Sequence, residues 1–131
     1  MIVDKADLQN VNGGPFKDTS VYCCYCGRRF KFNLEQRCTA DHLIPLSRGG
    51  NNTYFNKRNC CSKCNTEKCN LYLEDWLHKV KNSRLNEYDK GIKVENIKYI
   101  LHYVRTSKQK VFKNLEHYKG YINSIAYKSA N

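Results

Sequence analysis

Apolar positions change their spacing along this chain, and the change divides it. Residues 1–20 hold scattered apolar side chains without sustained period and a Gly13-Gly14-Pro15 turn signal, and read as a lead-in with one short element. From Val21 to Phe32 the run VYCCYCGRRFKF predicts two short strands folded about Cys23, Cys26 and Gly27, the shape of a zinc knuckle, with glycine where the backbone turns tightly. Cys38 to Leu46 predicts a strand ending in Pro45, and Ser47 to Thr53, with two glycines and two asparagines, a loop of the length that usually carries function. The period then becomes helical. One helix is expected from about Cys61 or Ser62 through Lys68 and a second from near Leu71, with Leu73, Trp76, Leu77 and Val80 on one face. Two further stripes follow, Val94, Ile97, Leu101 and Val104, then Val111, Leu115, Tyr118, Ile122 and Ile125. The polar stretch Asn82 to Lys93 reads as the joint before them. The predicted organisation is a lead-in over 1–20, a nucleus over 21–82 and a helical extension over 93–131.

Composition narrows what such a chain does. With 131 residues there is room for one ordinary core and an appendage. The formal net charge is +11, and both parts carry it: residues 1–70 hold 11 Lys/Arg against 6 Asp/Glu, residues 71–131 hold 12 against 6. A balance of this kind attracts polyanions, nucleic acid first among them. No apolar run approaches the roughly 20 residues that span a bilayer, and residues 1–14 contain no continuous apolar stretch of the signal-peptide kind. The expected location is therefore the reducing interior of a cell, with no membrane partner. Eight cysteines there call for metal rather than disulfides.

Two Cys-x-x-Cys pairs, Cys23 with Cys26 and Cys61 with Cys64, have the spacing by which a tight turn aims two thiolates at one ion. Zinc takes four thiolates tetrahedrally at about 2.3 Å, and a closed four-cysteine site of this kind is structural because no coordination position stays open. Cys24 and Cys60 adjoin these residues and could replace them; with Cys38 and Cys69 they otherwise read as free thiols. Between Cys26 and Cys61 lie 34 residues, well beyond the roughly 15–20 of a simple zinc ribbon. The insertion is where chemistry is to be sought.

Within and after it the chain reads Asp41-His42-Leu43-Ile44-Pro45-Leu46-Ser47-Arg48-Gly49-Gly50, then Asn56, then Cys61-Ser62-Lys63-Cys64-Asn65-Thr66-Glu67-Lys68. A DH pair, a P-x-S-x-G-G loop, a central Asn and a closing C-x-x-C-N-x-x-K, in this order, resemble the zinc-stapled form of the HNH endonuclease family over roughly residues 21–80. The resemblance implies an α+β fold: a small ββα-metal core with a four-cysteine zinc site and a helical C-terminal extension. It implies hydrolysis of DNA phosphodiester bonds, most simply in duplex DNA, by nicking or double-strand cleavage, a homodimer being one way from the first to the second. It makes His42 the general base, and Asn56 the residue that hydrogen-bonds the backbone of the loop holding that histidine. Asp41 and Asn65 would ligate the catalytic cation. Asn65 stands where many members carry a final histidine, so both ligands are hard oxygen donors, which favours magnesium or manganese over softer, nitrogen-preferring ions. Arg48, Lys57, Arg58, Lys63 and Lys68 cluster about these positions and are expected to hold phosphates, with Arg28, Arg29 and Lys31 as weaker candidates. The competing reading is a non-catalytic zinc module that binds nucleic acid, which explains the charge and the cysteines but gives no use for the set Asp41, His42, Asn56 and Asn65.

Overall fold

The computed structural model describes residues 20–130, in side-chain detail as far as residue 125. Apart from Ser20, the expected lead-in lies outside the described residues. The fold is α+β. Strands β1 (Cys38–His42) and β2 (Lys57–Cys61) pair antiparallel with Cys38 opposite Cys61 and His42 opposite Lys57. Helix α1 (Ser62–Lys68) follows β2 directly, and the unit so formed is a ββα nucleus. Three longer helices follow among the described residues: α2 (Leu73–Lys81), α3 (Glu87–Ser107) and α4 (Leu115–Ala130). Among the described residues no helix is long and apolar enough to cross a membrane.

Local chemistry explains most boundaries. Helix α1 begins where the Cys61 sulfur accepts the Cys64 N–H at 3.4 Å, a thiol acting as N-cap. Helix α2 opens on Glu74 and Asp75 and closes on Lys79 and Lys81, charges that suit the two ends of the helix dipole. Helix α3 starts at Glu87 because Asn86 caps it, its side chain accepting the Asp89 N–H at 2.8 Å. The joint expected over Asn82–Lys93 therefore shrinks to the few residues before Glu87. The first turns of α3 are too polar to show a stripe, and that masked them.

The segment Val21–Phe32 forms a knuckle without full strands. Only Tyr22 and Arg29 bridge, Cys23 N–H bonds Arg28 O at 2.9 Å, and Gly27 takes a left-handed φ of 74° at the bend. One continuous core runs from this knuckle to the last helix. It includes Cys24, Tyr25, Leu43, Ile44, Leu73, Trp76, Val80, Ile97, Ile100, Leu101, Val104, Val111, Phe112 and Tyr121. Tyr25 meets Trp76 edge-on with ring centres 4.7 Å apart, and its carbonyl accepts the buried Asn96 side chain of α3 at 2.7 Å. The stripe expected along α4 is shifted in part. Leu115 is exposed, Tyr118, Ile122 and Ile125 pack against the core, and Tyr121 is the residue fully inside.

The long loop between the strands is tied down by sequence far away. Gly50 bridges Phe112, Asn51 N–H bonds Val111 O, and Lys113 N–H bonds Gly49 O at 2.8 Å. The Asn51 side chain adds bonds to the carbonyls of Lys110 and Phe112. The chain between α3 and α4 is thus a strap across the loop that follows His42.

Candidate active site and metal centre

Cys23, Cys26, Cys61 and Cys64 come together with all sulfurs within 4.8 Å of one another, and Cys26 Sγ lies 3.8 Å from Cys61 Sγ. Four thiolates at the usual zinc–sulfur distance form a tetrahedron with edges of about 3.8 Å, so the donor set and its size both fit zinc. Backbone N–H groups of Tyr25 and Cys64 point at Cys23 Sγ and Cys61 Sγ, each at 3.4 Å, the pattern that stabilises thiolate. The four thiols share protons through their mutual hydrogen bonds, which draw Cys61 below the ordinary thiol value and Cys26 down to about 7 while Cys23 and Cys64 are pushed up. Cys24 and Cys60 stay outside the cluster as buried thiols, raised above their ordinary value chiefly by burial. Cys38 and Cys69 are exposed.

Strand alternation puts Thr39 and Asp41 on one face of the sheet, where α1 lies. Asp41 is buried. Its Oδ2 accepts the Tyr25 hydroxyl at 2.5 Å and its Oδ1 lies 3.3 Å from Lys68 Nζ. Burial raises its carboxyl above the ordinary value, against the opposing pull of Lys68 and of the Tyr25 hydrogen bond. Asn65, on α1, reaches the same face. Its Nδ2 donates to Thr39 Oγ1 at 3.0 Å, and that hydroxyl spends its own proton on Cys60 O at 2.9 Å. Thr39 can therefore only accept from Asn65, which fixes the amide with Oδ1 turned away, and among the described residues that oxygen accepts no hydrogen bond.

His42 ends β1, half-buried, with Nε2 at 2.8 Å from Asn52 Oδ1. Its carbonyl accepts Lys68 Nζ at 2.9 Å. The loop behind it is organised by Asn56, which has no exposed surface. Its Oδ1 accepts Ile44 N–H at 2.8 Å, and its Nδ2 donates to Ile44 O at 2.9 Å and Asn51 O at 2.8 Å. Glycine is required beside it: a Cβ on Gly50 would sit 1.9 Å from Ile44 O.

The basic residues divide. Arg48, with Nε on Asn70 O and its guanidinium 4.8 Å over Tyr72, is exposed, as is Lys63, while Lys57 is half-buried. The structure corrects the other two phosphate-contact expectations. Lys68 has no solvent exposure and gives its charge to Asp41 and the His42 carbonyl. Arg58 is buried, its guanidinium 4.4 Å over the Tyr103 ring and bonded to the carbonyls of Lys57 and Tyr54. Among the weaker candidates, Arg28 pairs with Asp89 at 3.3 Å, and Arg29 lies 6.0 Å from the Tyr22 ring. Sequence reasoning missed three residues here: Tyr25, Thr39 and Asn52. For Tyr25 the one available signal was its place inside the first Cys-x-x-Cys pair.

Comparison with known proteins bears on this region. Residues 23–71 match a family model described as HNH endonuclease, a span that contains all four clustered cysteines and Asp41, His42, Asn56 and Asn65. No curated protein sequence matches. Among solved structures, the Type II-C Cas9 enzyme from Actinomyces naeslundii is similar at 18% identity and a TM-score of 0.35; the alignment covers 77% of this chain and 12% of that one. The chain thus corresponds to a small fraction of that enzyme's length.

Proposed function

We propose that the chain, whose residues 23–71 match the HNH endonuclease family model, hydrolyses DNA phosphodiester bonds with one divalent cation. The observation that carries this reading is the placement of two oxygen donors on one sheet face. The Asp41 carboxylate shares that face with the Asn65 carbonyl, which Thr39 leaves open, and His42 follows Asp41 in the chain. Asp41 Oδ1 and Oδ2 each have one protein partner and retain further lone-pair capacity, so the pair fits a hard cation such as Mg²⁺ or Mn²⁺. When bound, such an ion would neutralise charge on the phosphate and on the departing oxygen.

The remaining work falls to this chain's residues. His42 takes the proton of the attacking water, whose oxygen forms the new bond to phosphorus as the bond to the 3′ oxygen breaks; solvent returns a proton to that oxygen. The products are a 5′-phosphate and a 3′-hydroxyl. Asn56 and the strap hold the backbone that carries His42, a positioning role. Arg48, Lys57 and Lys63 hold flanking phosphates. The four cysteines would hold a structural zinc ion, tying the knuckle to the start of α1.

Cleavage of supercoiled plasmid by the zinc-loaded protein, with added Mg²⁺ or Mn²⁺ and without, tests the proposal. We expect metal-dependent nicking or linearisation that His42→Ala reduces by about 100-fold or more while keeping its zinc and its melting temperature. Cleavage unchanged in His42→Ala removes that residue from the mechanism. Binding with no cleavage under any metal favours the non-catalytic zinc module, with Asp41 serving only as the partner of Lys68 and Tyr25.

A further inference from the structure

Two exposed aromatic rings stand just beyond Asn52, the contact of the His42 ring, on a turn that the fold anchors from beneath. Tyr54 and Phe55 are 62% and 44% exposed, with ring centres 6.2 Å apart and planes at 69°. They occupy the short 3₁₀ turn Tyr54–Asn56, whose first residues follow Asn52, the contact of the His42 ring. Exposed aromatic rings on a loose loop would signify little. This turn is built from beneath: Asn56 anchors its end in the interior, Arg58 bonds the Tyr54 carbonyl, and the Tyr103 hydroxyl bonds the Phe55 carbonyl at 2.7 Å. Arg58 and Tyr103 also stack on each other at 4.4 Å. With both carbonyls drawn inward, the two side chains are displayed outward at fixed positions.

The surroundings are cationic. Lys110 Nζ lies 5.5 Å from the Phe55 ring centre, brought there by the strap that Asn51 ties to the Lys110 carbonyl, and Lys57 follows the turn. Flat apolar faces interleaved with ammonium groups, on a chain of formal charge +11, match the chemistry of an unpaired nucleotide: a base to stack and a phosphate to neutralise. A paired duplex offers its phosphates and base edges but hides its base faces.

We propose that Tyr54 and Phe55, with Lys110, form a stacking site for unpaired bases of a DNA strand next to the scissile bond, so that the preferred substrate contains single-stranded character. This deepens the nuclease reading and rests on it for its place beside the cut. The site itself requires neither His42 nor a catalytic cation, so a binding measurement separates the two.

The test uses the zinc-loaded protein without added Mg²⁺ or Mn²⁺, so that no bond is cut. The probe is a strand of about 12 nucleotides, within the span that single-strand sites commonly cover, carrying 2-aminopurine, and the same sequence as a duplex. The protein is expected to bind the strand more tightly than the duplex and to quench 2-aminopurine on the strand. Tyr54→Ala with Phe55→Ala should weaken strand binding about tenfold, the scale of lost base stacking, and change duplex binding less than about twofold. Tyr54→Phe with Phe55→Tyr should restore the strand preference. Loss on strand and duplex alike, or on neither, overturns the proposal. Absence of quenching by the unaltered protein overturns it too, a readout that needs no variant to fold. Metal-dependent cleavage would survive that failure, and failure of cleavage would leave this binding result intact.

Discussion

A lysine with no access to water must have its charge answered inside the protein, and Lys68 finds its answers in Asp41 Oδ1 at 3.3 Å and the His42 carbonyl at 2.9 Å. Removing it would leave Asp41, itself buried and held otherwise, among the described residues, by Tyr25, as an uncompensated carboxylate. Losing one partner of a buried pair commonly costs about 3–5 kcal/mol, far more than losing a surface charge. Lys68→Ala should therefore lower unfolding stability in urea by roughly 3 kcal/mol. A phosphate-gripping lysine behaves in the opposite way, keeping stability while losing DNA affinity, and that outcome would refute the structural assignment. The sequence pattern alone pointed outward, because lysine is rarely fully buried and the residues around it are basic. The same expectation failed at Arg58 for the same reason: the ring that receives it, Tyr103, lies 45 positions further along the chain.

Between the strands, the loop that follows His42 depends on one side chain and one missing side chain. Asn56→Ala would strand Ile44 N–H and Ile44 O in a buried site and remove a part-buried bond to Asn51 O, a loss of about 3 kcal/mol by the usual cost of unmet buried groups. Because Asn56 is fully buried and acts on the site only through this loop, Asn56→Asp, which keeps the acceptor to Ile44 N–H but sets a second acceptor against the carbonyls of Ile44 and Asn51, should lose stability and cleavage rate together. Loss of rate with stability intact would assign Asn56 a role beyond positioning. Gly50→Ala is expected to be as damaging, since its Cβ would sit 1.9 Å from the Ile44 carbonyl oxygen, and backbone must move to admit it. Thermal melts of both variants measure these effects. The loop's existence was legible from its glycines and asparagines, as α1 was from Ser62 to Lys68 and α2 from its apolar face. What holds the loop was not, because the strap that bonds Gly49, Gly50 and Asn51 comes from residues 110–113, and no local pattern announces a pairing at that separation. Likewise Tyr121 escaped notice on α4: its ring is buried while its hydroxyl donates to Glu74, and a polar tip breaks an apolar stripe.

For the molecule as a whole, the four-cysteine cluster joins two segments that the chain separates by 34 residues, and the residues proposed for catalysis are strung between them or start at their end. The knuckle also carries Tyr25, which touches Asp41 by its hydroxyl, Trp76 by its ring and Asn96 by its carbonyl, so the four-cysteine end of the molecule and the helices α2 and α3 meet at one residue. Lys93 of α3 reinforces that junction, 3.0 Å from Glu67 of α1 and 5.6 Å from the Trp76 ring centre. Zinc binding in small four-ligand sites is worth about 10–16 kcal/mol at neutral pH. The net stability of a domain is only about 5–15 kcal/mol. Losing the first therefore removes a quantity comparable to the whole of the second, and the loss should not stay local. Purified protein is expected to carry one zinc per chain. Stripping it with a strong chelator, or introducing Cys64→Ser, should abolish the cooperative thermal transition, including the part of the helical circular dichroism signal that comes from α2 and α3. Restoring zinc to the chelated protein should bring both back. A zinc-free chain that still melts cooperatively at the original temperature would show that the apolar core alone supports the fold and that the cluster is not its staple.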